Sequence, residues 1–250
     1  MEFVPDYQGE YKSKVEIFAS QVGKEWPTAL ELPTGPEWSY HVFLEHGLEA
    51  TAEAVRLVDY ARQNGAEISD EQLVGLILSM LEHDLGNHWG PPIFHDYPEH
   101  RSEEVGTGFA LLLKIPRTII GYKREATHAT RPGAKITTIV EKIARRADIA
   151  NFAWEYNKFK NKTIKVWREE QMKCMAQGKD YVIFSQWVIN IKDFVIGSLL
   201  DQDLTLGPFD FNEASQQCVF LDDVAKNFQQ IGEEINSPDF VEPELYPLVA

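Results

Sequence analysis

Apolar residues return every three or four positions in one segment of this chain after another, and strict alternation persists nowhere in it. A helix offers a stripe for burial and a strand offers a face; only stripes are on offer here, so the chain must build its core by packing helices. Val15, Phe18 and Val22 mark a first helix within residues 11–22, and Pro27, Pro33, Gly35 and Pro36 turn 25–38 into a loop. A second helix is expected from Tyr40 to Gln63, with Ala50, Ala54, Leu57 and Val58 as its buried stripe and Asn64-Gly65 as its stop. Ser69 with Gln72 three residues on is a capping-box pair for the next helix. Val74, Ile77, Leu78 and Leu81 carry that helix to an end at Gly86.

Residues 87–101 read as a loop rich in His, Pro and aromatics, with Trp89, Phe94 and Tyr97 as its anchors. Helix signals resume over 102–113 with Ser102 as cap, and again from Pro116 to about Thr127. A single long helix is expected over 135–160, with Ile139, Ile143, Ala147 and Ala150 along one side. Further helices are expected over 162–177, 180–200 and 214–234, with 201–213 as a loop. The fold class is therefore all-α. The 250 residues suffice for one sizeable core with an extension. The expected division is 1–37 as an N-terminal helix and loop on the core, 38–160 as the core, and 161–250 as a C-terminal helical extension of the same unit.

Charge narrows the partners. A formal net charge of −15 repels polyanions, which argues against nucleic-acid polymers as ligands. The most apolar stretch, Val182 to Leu200, is interrupted by Gln186, Asn190, Lys192 and Asp193, so no membrane partner is expected. The first residues carry Glu2, Asp6 and Glu10 and no basic start before an apolar run, and the two cysteines, Cys174 and Cys218, read as reduced thiols. Both features point to a soluble cytoplasmic protein. A small phosphorylated substrate remains compatible with an acidic chain if a local cation or metal meets it. Between 123 and 146 stand Lys123, Arg124, Arg131, Lys135, Lys142, Arg145 and Arg146 against only Glu125 and Glu141, a local excess of about five positive charges. Lys123, Arg124, Arg131 and Arg145 are the candidates for holding substrate phosphate, Arg for its bidentate fit.

All seven histidines fall between positions 41 and 128. The dipeptide His83-Asp84 closes a strongly amphipathic helix, and adjacent helical residues diverge by about 100°, so both can reach one ion lying between their directions. Imidazole with carboxylate suits Mn, Fe, Co, Ni, Zn or Mg. Taken alone, the pair could equally cap the helix end, where a histidine favours the dipole. The flanks change the balance. His46 lies near the start of the preceding helix, and Asp148 lies among Ala144, Ala147, Ile149 and Ala150, expected midway along the long helix.

The order His46, His83-Asp84, Asp148 on helices resembles the HD-domain superfamily of metal-dependent phosphohydrolases over about residues 38–160. The resemblance implies a helical bundle around one divalent metal ion held by His46, His83, Asp84 and Asp148. It also implies hydrolysis of a phosphate ester or anhydride, most often of a nucleotide. Asp84 would orient or deprotonate the attacking water, and His128, with His88 as second choice, would stabilise charge or donate a proton. Where some nucleotidases of the superfamily carry Glu three residues after the HD pair, Asn87 stands here. Two other classes share the pattern. A two-metal (diiron) HD oxygenase would add His100 or His95 with His128 as ligands, and a non-catalytic HD sensor would bind without turnover. The apolar C-terminal extension offers a surface on which two copies could pair as a homodimer.

Overall fold

The computed structural model describes residues 11–25, 46–131, 133–176, 178–200 and 202–245, apart from 86–97. It is mostly helical, as the periodicity requires. In chain order the elements are α1 (Lys12–Glu25), α2 (Leu48–Gln63), α3 (Asp70–Glu82), α4 (Pro98–Leu112), α5 (Arg117–Thr130), α6 (Ile139–Asp148), α7 (Tyr156–Ala176), α8 (Phe184–Leu200) and α9 (Val219–Ile235). A two-residue hairpin, β1 (Phe211–Asn212) with β2 (Gln217–Cys218), pairs Phe211 with Cys218 and Asn212 with Gln217. Strands this short carry too few residues to alternate, which is why periodicity does not announce them.

Two compact units divide the chain. The first contains α1 to α6 and takes back the later segment Asp203–Cys218; the second spans Asn151–Gln202 and resumes at Val219. The expected core of 38–160 differs from this division at both ends of the C-terminal half: the boundary falls near 150, and 203–218 returns to the first unit. The return has a physical basis. Arg146 on α6 is buried in an ion pair with Asp210, whose carboxylate also accepts the Leu206 N–H at 3.1 Å. Lys142, one turn earlier, donates to Asp203 at 2.6 Å and to the Thr205 carbonyl at 3.0 Å. Tyr60 of α2 meets Phe209 edge-on at 5.1 Å.

The first unit is organised on α3. Every residue from Leu73 to Glu82 is buried, and the helix packs against α1, α2, α4, α5 and α6. Its start is the expected capping box: Ser69 accepts the Gln72 N–H, and the Gln72 side chain accepts the Ser69 N–H. Gly75 sets the closeness of α3 to α5, since a Cβ there would lie 2.7 Å from Tyr122 Cβ. Proline marks two starts. Pro98 opens α4 four residues before Ser102, where the start was expected, because a missing N–H costs nothing in a first turn. Pro116 is the N-cap of α5, which runs to Thr130 before Gly133 turns the chain at φ +74°.

The long helix expected over 135–160 does not form. α6 starts at the capping box of Thr138 and Glu141, ends at Asp148, and gives way to a 3-10 turn, Ala150–Ala153. Neither Gly nor Pro lies at the break. In the second unit, Asn227 of α9 donates to the carbonyls of Phe152 and Trp154 at 2.9 and 2.7 Å, satisfying groups that helix continuation would otherwise have bonded. Glu155 then accepts the N–H groups of Asn157 and Lys158 and restarts the chain as α7, continuous through the gap expected near 161. The second unit is knit by aromatic contacts: Phe159 meets Phe228 edge-on at 5.4 Å, and Trp167 meets Phe184 at 5.6 Å. Among the described residues no helix is long and apolar enough to cross a membrane.

Candidate metal centre

Three chain segments of the first unit bring the centre together. His46 stands in a single wide turn just ahead of α2, His83 is the C-cap of α3 with Asp84 following, and Asp148 is the last residue of α6. Asp148 therefore lies at a helix end and not midway along one. The consequence is electrostatic. The C-termini of α3 and α6, each carrying partial negative charge, converge with two carboxylates on one point, an arrangement that demands positive charge.

One ligand atom from each of His46, His83, Asp84 and Asp148 falls within a set whose members all lie within 4.8 Å of one another. The two imidazole Nε2 atoms are 3.1 Å apart. Asp84 Oδ2 lies 3.0 Å from His46 Nε2 and 3.1 Å from His83 Nε2; Asp148 Oδ1 lies 3.5 and 3.1 Å from the same two nitrogens. His46, His83 and Asp84 are 4 %, 1 % and 6 % exposed. The Met80 carbonyl faces His83 Nδ1 at 3.0 Å and can only accept, so the proton of a neutral ring sits on Nδ1 and Nε2 turns a lone pair toward the cluster.

The charge balance follows from that geometry. Burial works to lower the His83 pKa, but Asp84 and Asp148 together more than reverse it, holding His83 well above the ordinary imidazole range. Burial works to raise Asp148, and hydrogen bonds from His46 and His83 overcome it, bringing the carboxyl down to about 2. Two nitrogens and two carboxylate oxygens share one small volume and together attract positive charge. The same donor set fits a divalent cation with mixed nitrogen and oxygen ligation.

The remaining candidates lie elsewhere. Lys123, expected to meet substrate, is 0 % exposed and forms an ion pair with Glu82, itself 0 % exposed. Thr127 donates to the same carboxylate at 3.3 Å and exchanges a 2.9 Å hydrogen bond with Ser79. Burial pushes the Glu82 carboxyl up to about 7 against the pull of Lys123. Arg145 is buried too, its guanidinium donating to the carbonyls of Thr130 and Arg131 and so tying the end of α5 to α6. These two cations hold helices together, which corrects the expectation that they stand open to a phosphate. Burial lowers the Arg145 pKa, and Asp148 and Glu99 raise it in part, so this cation does share the field of the metal centre.

Arg124, Arg131 and His128 line a separate open cavity of about 630 Å³, with His100, Glu103 and Glu125. Glu103 bridges the two arginines, accepting from Arg124 Nε at 2.6 Å and Arg131 Nη2 at 2.9 Å. None of His46, His83, Asp84 and Asp148 lines this cavity. His128 is exposed, and His100 Nε2 faces Arg131 Nη1 at 3.3 Å, beside a cation and so poorly placed for a second metal ion. His88 and His95 lie outside the described residues, as do Trp89, Phe94 and Tyr97.

Sequence reading passed over two carboxylates. Glu82 follows Leu78 by four residues and so continues the buried stripe, a signal of a paired acid in the core. Glu99, in the first turn of α4, lies within electrostatic reach of His83, Asp84 and Asp148, and no spacing in the sequence announces it. Comparison of the chain with protein-family models, with curated proteins and with solved structures gives no match.

Proposed function

We propose that this chain is a divalent-metal-dependent phosphohydrolase of the HD type, acting on a small phosphorylated substrate, a nucleotide in the first instance. The observation that carries the proposal is the convergence of His46, His83, Asp84 and Asp148 on one small volume at two helix C-termini. A merely structural polar cluster would pair its carboxylates with Lys or Arg. Here the facing groups are imidazole nitrogens, which bind a cation as readily as a proton.

His46 and His83 supply nitrogen to the ion, and Asp84 and Asp148 supply oxygen and neutralise its charge. A divalent cation held there contributes Lewis acidity toward a phosphoryl oxygen and toward water, placing attack on phosphorus within reach of neutral pH. Met80 fixes the His83 tautomer through Nδ1, keeping Nε2 directed at the ion. Asp84 orients water for in-line attack. The positive field of Arg145 offsets charge that develops on the phosphoryl group. Arg124, Arg131 and His128 line a cavity large enough for a nucleotide-sized ligand, and a phosphate entering it competes with Glu103 for the two guanidinium groups.

The test is phosphate release from a panel of nucleotides and simple phosphomonoesters, with Mn, Co, Ni or Mg supplied in turn. Turnover that disappears in Asp84→Ala supports the assignment. Turnover that survives at the wild-type rate in that variant rejects it, and so does absence of release across the whole panel from metal-loaded protein.

A further inference from the structure

Glu99 is the second residue of α4, and its Oε2 is inaccessible to solvent with no hydrogen-bond partner among the described residues. A buried carboxylate oxygen without a donor is costly, and folded proteins keep one only where something else recovers the cost. Its surroundings add to the cost. Burial opposes its charge, the two aspartates of the metal centre both repel it, and its own backbone N–H and His83 draw it the other way. Arg145 belongs to the same electrostatic group, feeling both Asp148 and Glu99, and its Nε–H is likewise buried without an acceptor. One acceptor and one donor are thus left unmatched beside the same centre.

Each is a group that a water molecule or a substrate oxygen would partner, because a buried water is held by two to four polar partners of both kinds. Glu99 stands outside the 4.8 Å set formed by the four ligand atoms, so its reach toward a cation passes through an intervening oxygen. We propose that Glu99 is an outer carboxylate of the metal centre, accepting a hydrogen bond from a water or ligand hydroxyl held on the cation, with Arg145 as its counter-charge. The assignment rests on the metal-centre reading and adds a fifth, positioning residue to it. A rival account is local: an acid in the first turn of a helix favours the helix dipole, and Glu99 would then serve α4 alone.

The two accounts predict opposite pairs of results for Glu99→Gln, which keeps the shape and removes the charge. Mn affinity is measured by competition with a fluorescent chelator, and thermal stability is measured on metal-free protein, both at about pH 8 where the carboxylates are charged. Glu67→Gln, exposed in the connection between α2 and α3, controls for loss of one charge. An outer-carboxylate role predicts that Glu99→Gln binds Mn about tenfold to a hundredfold more weakly. The metal-free variant would melt no lower than wild type, because two like-charge repulsions have been relieved. The helix-dipole account predicts a lower melting temperature with unchanged affinity. Affinity within twofold of wild type overturns the proposal, as does an affinity loss that comes with an equal loss of metal-free stability. Wild-type protein that binds no divalent cation would overturn the metal centre itself, and Glu99 with it.

Discussion

Replacing Lys123 by Met separates a structural cation from a substrate-binding one. Lys123 and Glu82 are both wholly buried and paired, so Met, of similar length, leaves a carboxylate in the core facing only Thr127. Removing one member of a buried pair costs about 3–5 kcal/mol. The pH dependence identifies the cause. In the wild type, burial holds the Glu82 proton up to about pH 7, against an ordinary carboxyl value of 4.5. Between those values the folded state binds more protons than the unfolded, so this group makes stability fall with rising pH, by about 1.4 kcal/mol per unit, and the fall ends near pH 7. Without Lys123 the folded carboxyl titrates higher still, so the fall continues. The gap between wild type and variant should then widen by about 2 kcal/mol from pH 7 to about pH 8.5. Urea denaturation in the presence of a chelator, followed by far-UV circular dichroism, measures it. A variant within about 1 kcal/mol of wild type at every pH would refute the buried-pair reasoning and return Lys123 to the list of substrate ligands.

Gly106→Ala should unfold more easily by about 2–4 kcal/mol, because its Cβ would lie 1.2 Å from Glu82 Oε2 and displace that carboxylate from Lys123, outweighing the roughly 1 kcal/mol that alanine gains in a helix. Gly108→Ala on the same helix meets nothing within 4 Å and should be neutral or stabilising, so equal losses in the two variants would count against the steric argument. Metal-free protein should lose stability as pH rises above about 6.5, since His83 has a raised folded pKa and its contribution, fully present below the unfolded value, is lost as the folded one is passed. Added Mn displaces that proton, so the thermal shift it causes should be larger at about pH 8 than at about pH 6; a shift independent of pH would contradict proton–metal competition at His83.

How much of this was legible in the sequence depends on how local each signal is. Ser69 with Gln72 fixed a helix start because both partners of the capping box lie within four residues. The all-α class followed from stripes that repeat in nearly every segment. The break after Asp148 was hidden because Asn227, which satisfies the carbonyls there, is more than seventy residues away. A separation of 64 residues hid the return of Asp203–Cys218, which depends on Asp210 meeting Arg146. Charge counting saw seven cations between 123 and 146 as one patch, whereas Lys123, Arg145 and Arg146 are turned inward to Glu82, to backbone carbonyls and to Asp210. Helical phase carried part of that answer, since Lys123 shares a buried face of α5 with Ile119 and Ala126. The order of His46, His83-Asp84 and Asp148 pointed to side chains that the fold does bring together, while Glu99 joins their field with no sequence pattern behind it.

Anomalous diffraction from crystals grown with Mn tests the metal centre most directly. One strong peak is expected, within coordination distance of His46, His83, Asp84 and Asp148. Manganese bound elsewhere on the chain, with those four side chains left to one another, would contradict the account.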